Sequence, residues 1–270
     1  MKLGIMSSVF RRHAVEQAAV RLREGGFTCT QLTPEFEGMP FCRYGSAVPL
    51  EGCTPDVLRR IRLAFEAAGV EILSQGAYME LTDPEPAQRR ANIDYFAARL
   101  RMMNAVGGGV LVTESGRRPD EPEQQGAAWD RLRSALSELL PIAAAEGVSI
   151  GLEPSRAQVL SDTAAARLLL DEFGTEHLKV MIDPANTLGR ESLDEMFERV
   201  GFAIFQGHAK DVILSGEKPV YPAAGQGDLD YPHFVSLLRQ HGVEALVIEY
   251  VTEENFAPVR DFLRGVLAGN

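Results

Sequence analysis

Short β-like runs alternate with longer stretches of helical period along this chain. Two parallel strands can be joined only by a crossover, so a regular strand-helix alternation calls for a parallel sheet covered by helices. Eight strands are predicted, at 2–6, 28–32, 70–75, 109–113, 148–153, 178–183, 203–210 and 245–251. Helices are predicted at 13–24, 55–68, 86–106, 125–146, 162–172, 193–200, 232–240 and 255–268. Several end at a glycine, as in Glu24-Gly25-Gly26, Ala68-Gly69, Glu146-Gly147 and His241-Gly242, which suits a left-handed helix end before the next strand. An open doubly wound sheet could also hold eight strands, but no G-x-G-x-x-G follows the first one. The expected fold is α/β, a (β/α)8 barrel over residues 1–270 as one domain.

The longest irregular stretches are 34–54, 114–123 and 215–230, and each follows a strand. In a barrel they lie on the carboxyl face, where active sites are built. Gly225 to Asp230 reads as a flexible loop able to close over such a site, with a plain turn, all that its composition states, as the alternative. The 38 acidic residues outnumber the 27 Lys and Arg, a formal charge of -11 that opposes binding to phosphate backbones, so no nucleic-acid partner is expected. Cys29, Cys42 and Cys53 lack C-x-x-C spacing and read as reduced thiols. No apolar run is long enough to span a bilayer and no secretory signal opens the chain, so a cytoplasmic protein without membrane partners is expected.

The last four strands share a pattern of apolar residues followed by an ionisable side chain: VSIGLEPS, KVMIDPAN, IFQGHAKD and LVIEYV. An ionised carboxylate in such a buried run is costly unless it is paired or bound to metal. Glu153, Asp183, His208 and Glu249 are spaced by 30, 25 and 41 residues, near one barrel repeat each, so they converge above the barrel. Three carboxylates and one imidazole form an oxygen-rich set suited to one divalent ion, Mn, Mg, Co or Fe, with Zn also admitted. Strand-end salt bridges are the alternative for each carboxylate, and a buried core histidine is the alternative for His208.

The motifs GLEPS, VMIDPANTL, GHAKD, AAGQGDLDY and VIEYV resemble those of the xylose isomerase-like TIM barrels, which include ketose 3-epimerases, hydroxypyruvate isomerases and inosose-processing enzymes. The resemblance covers nearly the whole chain. It implies a metal-dependent sugar isomerase or epimerase, with Glu153, Asp183, His208 and Glu249 holding the metal. It also implies that Glu153 and Glu249 are the catalytic acid and base, acting on a small carbohydrate-like substrate through an enediolate.

Lys210, Asn186, Tyr78 and Glu114 lie near the expected ligands and are candidate substrate-binding residues, with rim packing or turn formation as the alternatives. Some 3-epimerases of this family carry a His three residues after the metal Asp and an Arg shortly after the metal His. Here Asn186 stands at the first place, and no Arg lies between His208 and Asp230, so another hydroxy-ketone or a keto-acid is the expected substrate. The rivals are a metal-dependent dehydratase of a keto-cyclitol or dehydroshikimate-like acid, a non-catalytic sugar-binding barrel, and a three-zinc DNA repair endonuclease, the last opposed by the net acidity and five histidines. The sequence also admits a homo-oligomer.

Overall fold

The computed structural model describes residues 1–41, 45, 47–216 and 218–269. Among them, eight parallel strands close a barrel: β1 (Lys2–Met6), β2 (Cys29–Leu32), β5 (Glu71–Gly76), β6 (Val110–Thr113), β7 (Ser149–Leu152), β8 (Leu178–Ile182), β9 (Ile204–Ala209) and β10 (Ala245–Ile248). Each pairs with its neighbours in sequence order, and β1 closes on β10 in the register Lys2–Ala245 to Ile5–Ile248. The helices are α1 (Val15–Glu24), α2 (Pro55–Ala68), α3 (Pro86–Val106), α4 (Pro122–Glu146), α5 (Thr163–Phe173), α6 (Leu193–Val200), α7 (Tyr231–Gln240) and α8 (Phe256–Gly269). An antiparallel pair, β3 (Glu35–Phe36) with β4 (Met39–Pro40), stands outside the barrel in the stretch expected to be irregular.

Local chemistry sets these boundaries. The Asp162 side chain caps α5 by accepting the Ala165 N–H, and Ser192 and Glu195 form a reciprocal capping box at α6. Gly69 and Gly147 close their helices at φ 67° and 66°, a conformation that costs any other residue more. Strand and helix faces enclose a core that includes Phe27, Phe65, Phe96, Phe197, Phe234 and Leu263. At Gly207 an added Cβ would lie 3.2 Å from both Leu246 and Phe234, so the missing side chain lets α7 seat directly on β9.

Cys29 and Cys53 are buried and unbridged, and burial pushes the Cys29 thiol up to about 12. Cys42 lies outside the described residues. Among the described residues no helix is long and apolar enough to cross a membrane.

Candidate metal centre

The strands stop sooner than the sequence suggests. Glu153, Asp183 and Glu249 are each the first residue beyond β7, β8 and β10, while His208 is still inside β9. The period of two along β9 puts Gln206 and His208 on the face that turns into the barrel, and Lys210 follows in the same phase just past the strand end. One ligand atom from each of Glu153, Asp183, His208 and Glu249 lies within 4.8 Å of the others, and this group could bind one metal ion.

The neighbouring contacts fix which atoms are available. His208 Nε2 is 2.9 Å from Gln31 Oε1, an oxygen that also accepts from the Gln206 amide at 2.6 Å. Because that oxygen can only accept, Nε2 carries a hydrogen, which leaves Nδ1 as the ring nitrogen that would offer its lone pair to a metal once the ring is neutral. Nδ1 lies 3.3 Å from Glu249 Oε2 and 3.8 Å from Glu153 Oε1. Asp183 Oδ2, His208 Nδ1 and Glu249 Oε1 are buried without a directed hydrogen bond, although the Lys210 ammonium touches the two oxygens at 2.6 and 2.9 Å. Lys210 answers two of these atoms in charge, but one ammonium among three carboxylates leaves negative charge that a cation would satisfy.

The charges are unequal. Burial, reinforced by Glu249, lifts Glu153 to about 8 against the pull of His208. Burial likewise lifts Asp183 to about 7 against the opposing charge of Lys210. Burial also acts to raise Glu249, but Lys210 and His208 outweigh it and hold that carboxyl well below the usual range. Lys210 is itself held well above the ordinary lysine range, because Asp183 and Glu249 outweigh its desolvation.

A cavity of about 380 Å³ opens over this group, lined in part by Tyr78, Glu114, Glu153, Lys210, Glu249 and Tyr250. Three of the four candidate substrate-binding residues, Tyr78, Glu114 and Lys210, are on its wall. Asn186 is placed differently: it is buried in the short turn 184–186, and its amide donates to Glu153 Oε1 at 2.9 Å. That contact makes it a support for Glu153 where the sequence suggested a substrate contact.

Sequence reasoning passed over Gln31 and Gln206. Gln206 is a polar residue within an apolar strand, the same signal that pointed to His208, whereas Gln31 follows Thr28 and Thr30 in a largely polar run and carries no such signal. Also passed over was Tyr250, which holds φ at 56° next to Glu249. No local residue pattern marks that strain, because tyrosine is not a turn former. The Gly225 to Asp230 segment, expected to be flexible, is pinned: the buried Asp211 carboxylate accepts the N–H groups of Val212, Gly225 and Leu229.

An eight-strand parallel barrel with a carboxylate and histidine group at its carboxyl end narrows the class to barrels able to hold one metal ion at that face. The family model described as the xylose isomerase-like TIM barrel matches residues 19–266, and the chain belongs to that family. No curated protein sequence matches the chain. Among solved structures it is similar to a D-tagatose 3-epimerase-like protein, with TM-score 0.80, 18% identity and coverage of 99% of this chain and 97% of the other. It is also similar to the 3-keto-D-glucoside 4-epimerase YcjR from E. coli in its apo form, with TM-score 0.77, 16% identity and coverage of 98% and 99%. A third is the IOLI protein with a zinc atom, with TM-score 0.75, 16% identity and coverage of 100% and 99%.

Proposed function

We propose that this protein is a divalent-metal-dependent isomerase or epimerase of a small, carbohydrate-like hydroxy-carbonyl compound. Glu153, Asp183, His208 and Glu249 are its metal ligands, and Glu153 and Glu249 its acid and base. The observation that carries the reading is the convergence of three carboxylates and one imidazole, with one ligand atom of each within 4.8 Å of the others. The oxygen-rich set favours Mn, Mg, Co or Fe, and the zinc in the IOLI structure keeps Zn among the candidates. The epimerase names of two structural neighbours agree with the chemistry.

A bound divalent ion would act as a Lewis acid toward the substrate's carbonyl and adjacent hydroxyl. The chain's residues supply the rest. One of Glu153 and Glu249, which stand together at the candidate metal group, takes the proton from the carbon beside the carbonyl. The other returns one, and the Asn186 amide holds the Glu153 carboxyl in position for its part. Delivery to the opposite face of the same carbon gives epimerisation, and delivery to the neighbouring carbon moves the carbonyl. Lys210 stands in the cavity wall, where its ammonium can donate to a substrate oxygen.

The test is plasma mass spectrometry of the purified protein beside a Glu153→Gln/Asp183→Asn variant, followed by proton exchange of ketoses and keto-cyclitols in D₂O. About one equivalent of divalent metal, absent from the variant, is expected. Glu249→Gln should lower exchange by roughly 10²- to 10⁴-fold. Absence of metal after reconstitution with Mn²⁺, Co²⁺ or Mg²⁺ overturns the reading, and a product lighter by one water redirects it to a dehydratase.

A further inference from the structure

A second cleft, about 650 Å³ in volume, lies on the carboxyl side of the barrel, and the chemistry above does not use it. Its walls come from the loops after three successive strands: Arg117 and Arg118 after β6, Arg156 and Gln158 after β7, and Arg190 after β8. Four arginines thus line one cleft in a chain whose formal charge is -11. Elsewhere some arginines sit against carboxylates, as Arg60 does with Glu16 and Arg90 with Glu138, and others donate to backbone carbonyls, as Arg131 does to Thr82 and Arg264 to Gly26.

What sets the cleft apart is that such arginines are gathered on one concave surface. Arg117 pairs with Asp120 at 3.3 Å. Arg118 donates to the neutral side chain of Gln125, and half-buried Arg156 donates to the backbone carbonyls of Asn186 at 2.9 Å and Leu188 at 2.7 Å. Arg118, Arg156 and Arg190 form no ion pair among the described residues. Neutral oxygens therefore hold Arg118 and Arg156 in position without cancelling their charge. The cleft's carboxylates are Glu80 and Asp120, so two of its four guanidinium charges are unmatched. Fixed guanidiniums in a concave site are the standard means of binding phosphate and carboxylate oxygens.

The cleft also adjoins the metal centre. Glu114 in the wall of the metal-centre cavity accepts a hydrogen bond at 3.0 Å from Gln158 in the wall of the cleft. A small recess lined by Tyr78, Glu80, Glu114 and Gln158 lies between the two. Arg156 grips the carbonyl of Asn186, the residue whose amide holds Glu153.

We infer that the arginine cleft binds a terminal oxyanion, phosphate or carboxylate, at the far end of the substrate whose reacting end lies at the metal centre. The substrate class is thereby a sugar phosphate or sugar acid, an assignment that rests on the proposed isomerase reading. The binding of the oxyanion itself stands without that reading.

The test titrates inorganic phosphate, and separately acetate, into the full-length protein with and without Mg²⁺ by calorimetry. Wild type should bind at least one of the two saturably, and Arg156→Gln/Arg190→Gln should bind it at least about tenfold more weakly. Exposed Arg190→Gln alone should show a smaller loss in the same direction, which separates loss of the site from misfolding. Glu249→Gln should leave anion binding unchanged. Tighter phosphate binding assigns the substrate to the sugar phosphates, and tighter acetate binding to the sugar acids.

In D₂O exchange, a ketose bearing the favoured group should exceed its parent at least about tenfold in kcat/KM, and the double variant should abolish the preference. No saturable binding of either ion, equal binding by the double variant, or a substrate preference that the variant leaves intact overturns the inference. Anion binding by a protein that exchanges no ketose overturns the isomerase reading and the placement at the substrate's end, and leaves the oxyanion cleft standing.

Discussion

Lys210 sets the charge of the candidate metal centre. Its ammonium lies between Asp183 and Glu249, with the rings of Tyr250 and Tyr221 at 4.8 and 5.6 Å. One lysine cannot neutralise three buried carboxylates, so without metal the group retains protons that the unfolded chain would release. Glu153 holds its proton up to about 8 and Asp183 up to about 7, whereas unfolded carboxyls lose theirs near 4. A raised folded-state pKa gives stability that is complete below the unfolded value and is lost as pH climbs through the folded one. His208, also raised, acts in the same sense above the ordinary histidine value. Thermal melts of the metal-stripped protein should therefore show stability falling from about pH 5 to about pH 8. Saturating Mn²⁺ should flatten or reverse that trend, because ligands must deprotonate to bind metal. A metal-free protein equally stable at both pH values would contradict the charge state described.

At the scale of elements, the strand-helix alternation made the barrel legible from the sequence, because a buried parallel strand must be apolar and its crossover helix must show helical period. Glu153, Asp183, His208 and Glu249 were legible for a related reason: each interrupts or ends an apolar run at the same phase of the repeat. Two things had no such signature. The β3–β4 pair consists of two-residue strands, too short for any period to register. The arginine cleft draws on loops far apart in sequence, where each arginine alone looks like an ordinary surface charge.

At 225–230 the glycine content reports conformational freedom and is silent on tethers. The tether is Asp211, and Gly227 packs so closely on it that an added Cβ would lie 2.5 Å from its Oδ1. Asp211→Ala leaves three backbone donors without their acceptor, a loss of roughly 2 kcal/mol or more if none is rehydrated. Faster hydrogen exchange at Gly225 and Leu229, with the rest of the barrel unchanged, is the expected result. Unaltered protection at both amides would mean that the segment is held by something other than Asp211.

On the scale of the whole molecule, barrel closure allows residues nearly two hundred positions apart to act on one imidazole. Gln31 on β2 and His208 on β9 are not on adjacent strands, yet they meet across the interior. Ser74 on β5 joins them by donating to Gln206 Oε1 at 2.9 Å, and the Gln31 amide donates to the Tyr78 hydroxyl at 2.7 Å. The network has a direction: Gln31 is turned so that its oxygen receives Gln206 and His208 while its nitrogen faces the cavity wall. That orientation keeps a hydrogen on Nε2 and turns Nδ1 toward Glu249 and Glu153. Partners of this kind typically contribute about 10- to 100-fold to metal affinity without touching the ion. Gln31→Met keeps most of the volume but removes the acceptor oxygen and the amide donor, so metal affinity should fall within that range while the barrel stays folded. Gln31→Glu restores an acceptor for Nε2–H and should recover most of the affinity. Competition of each variant with a calibrated chelator, alongside circular dichroism to confirm the fold, measures this directly. Wild-type affinity in Gln31→Met would show that neither the tautomer nor the orientation of His208 depends on the far side of the barrel.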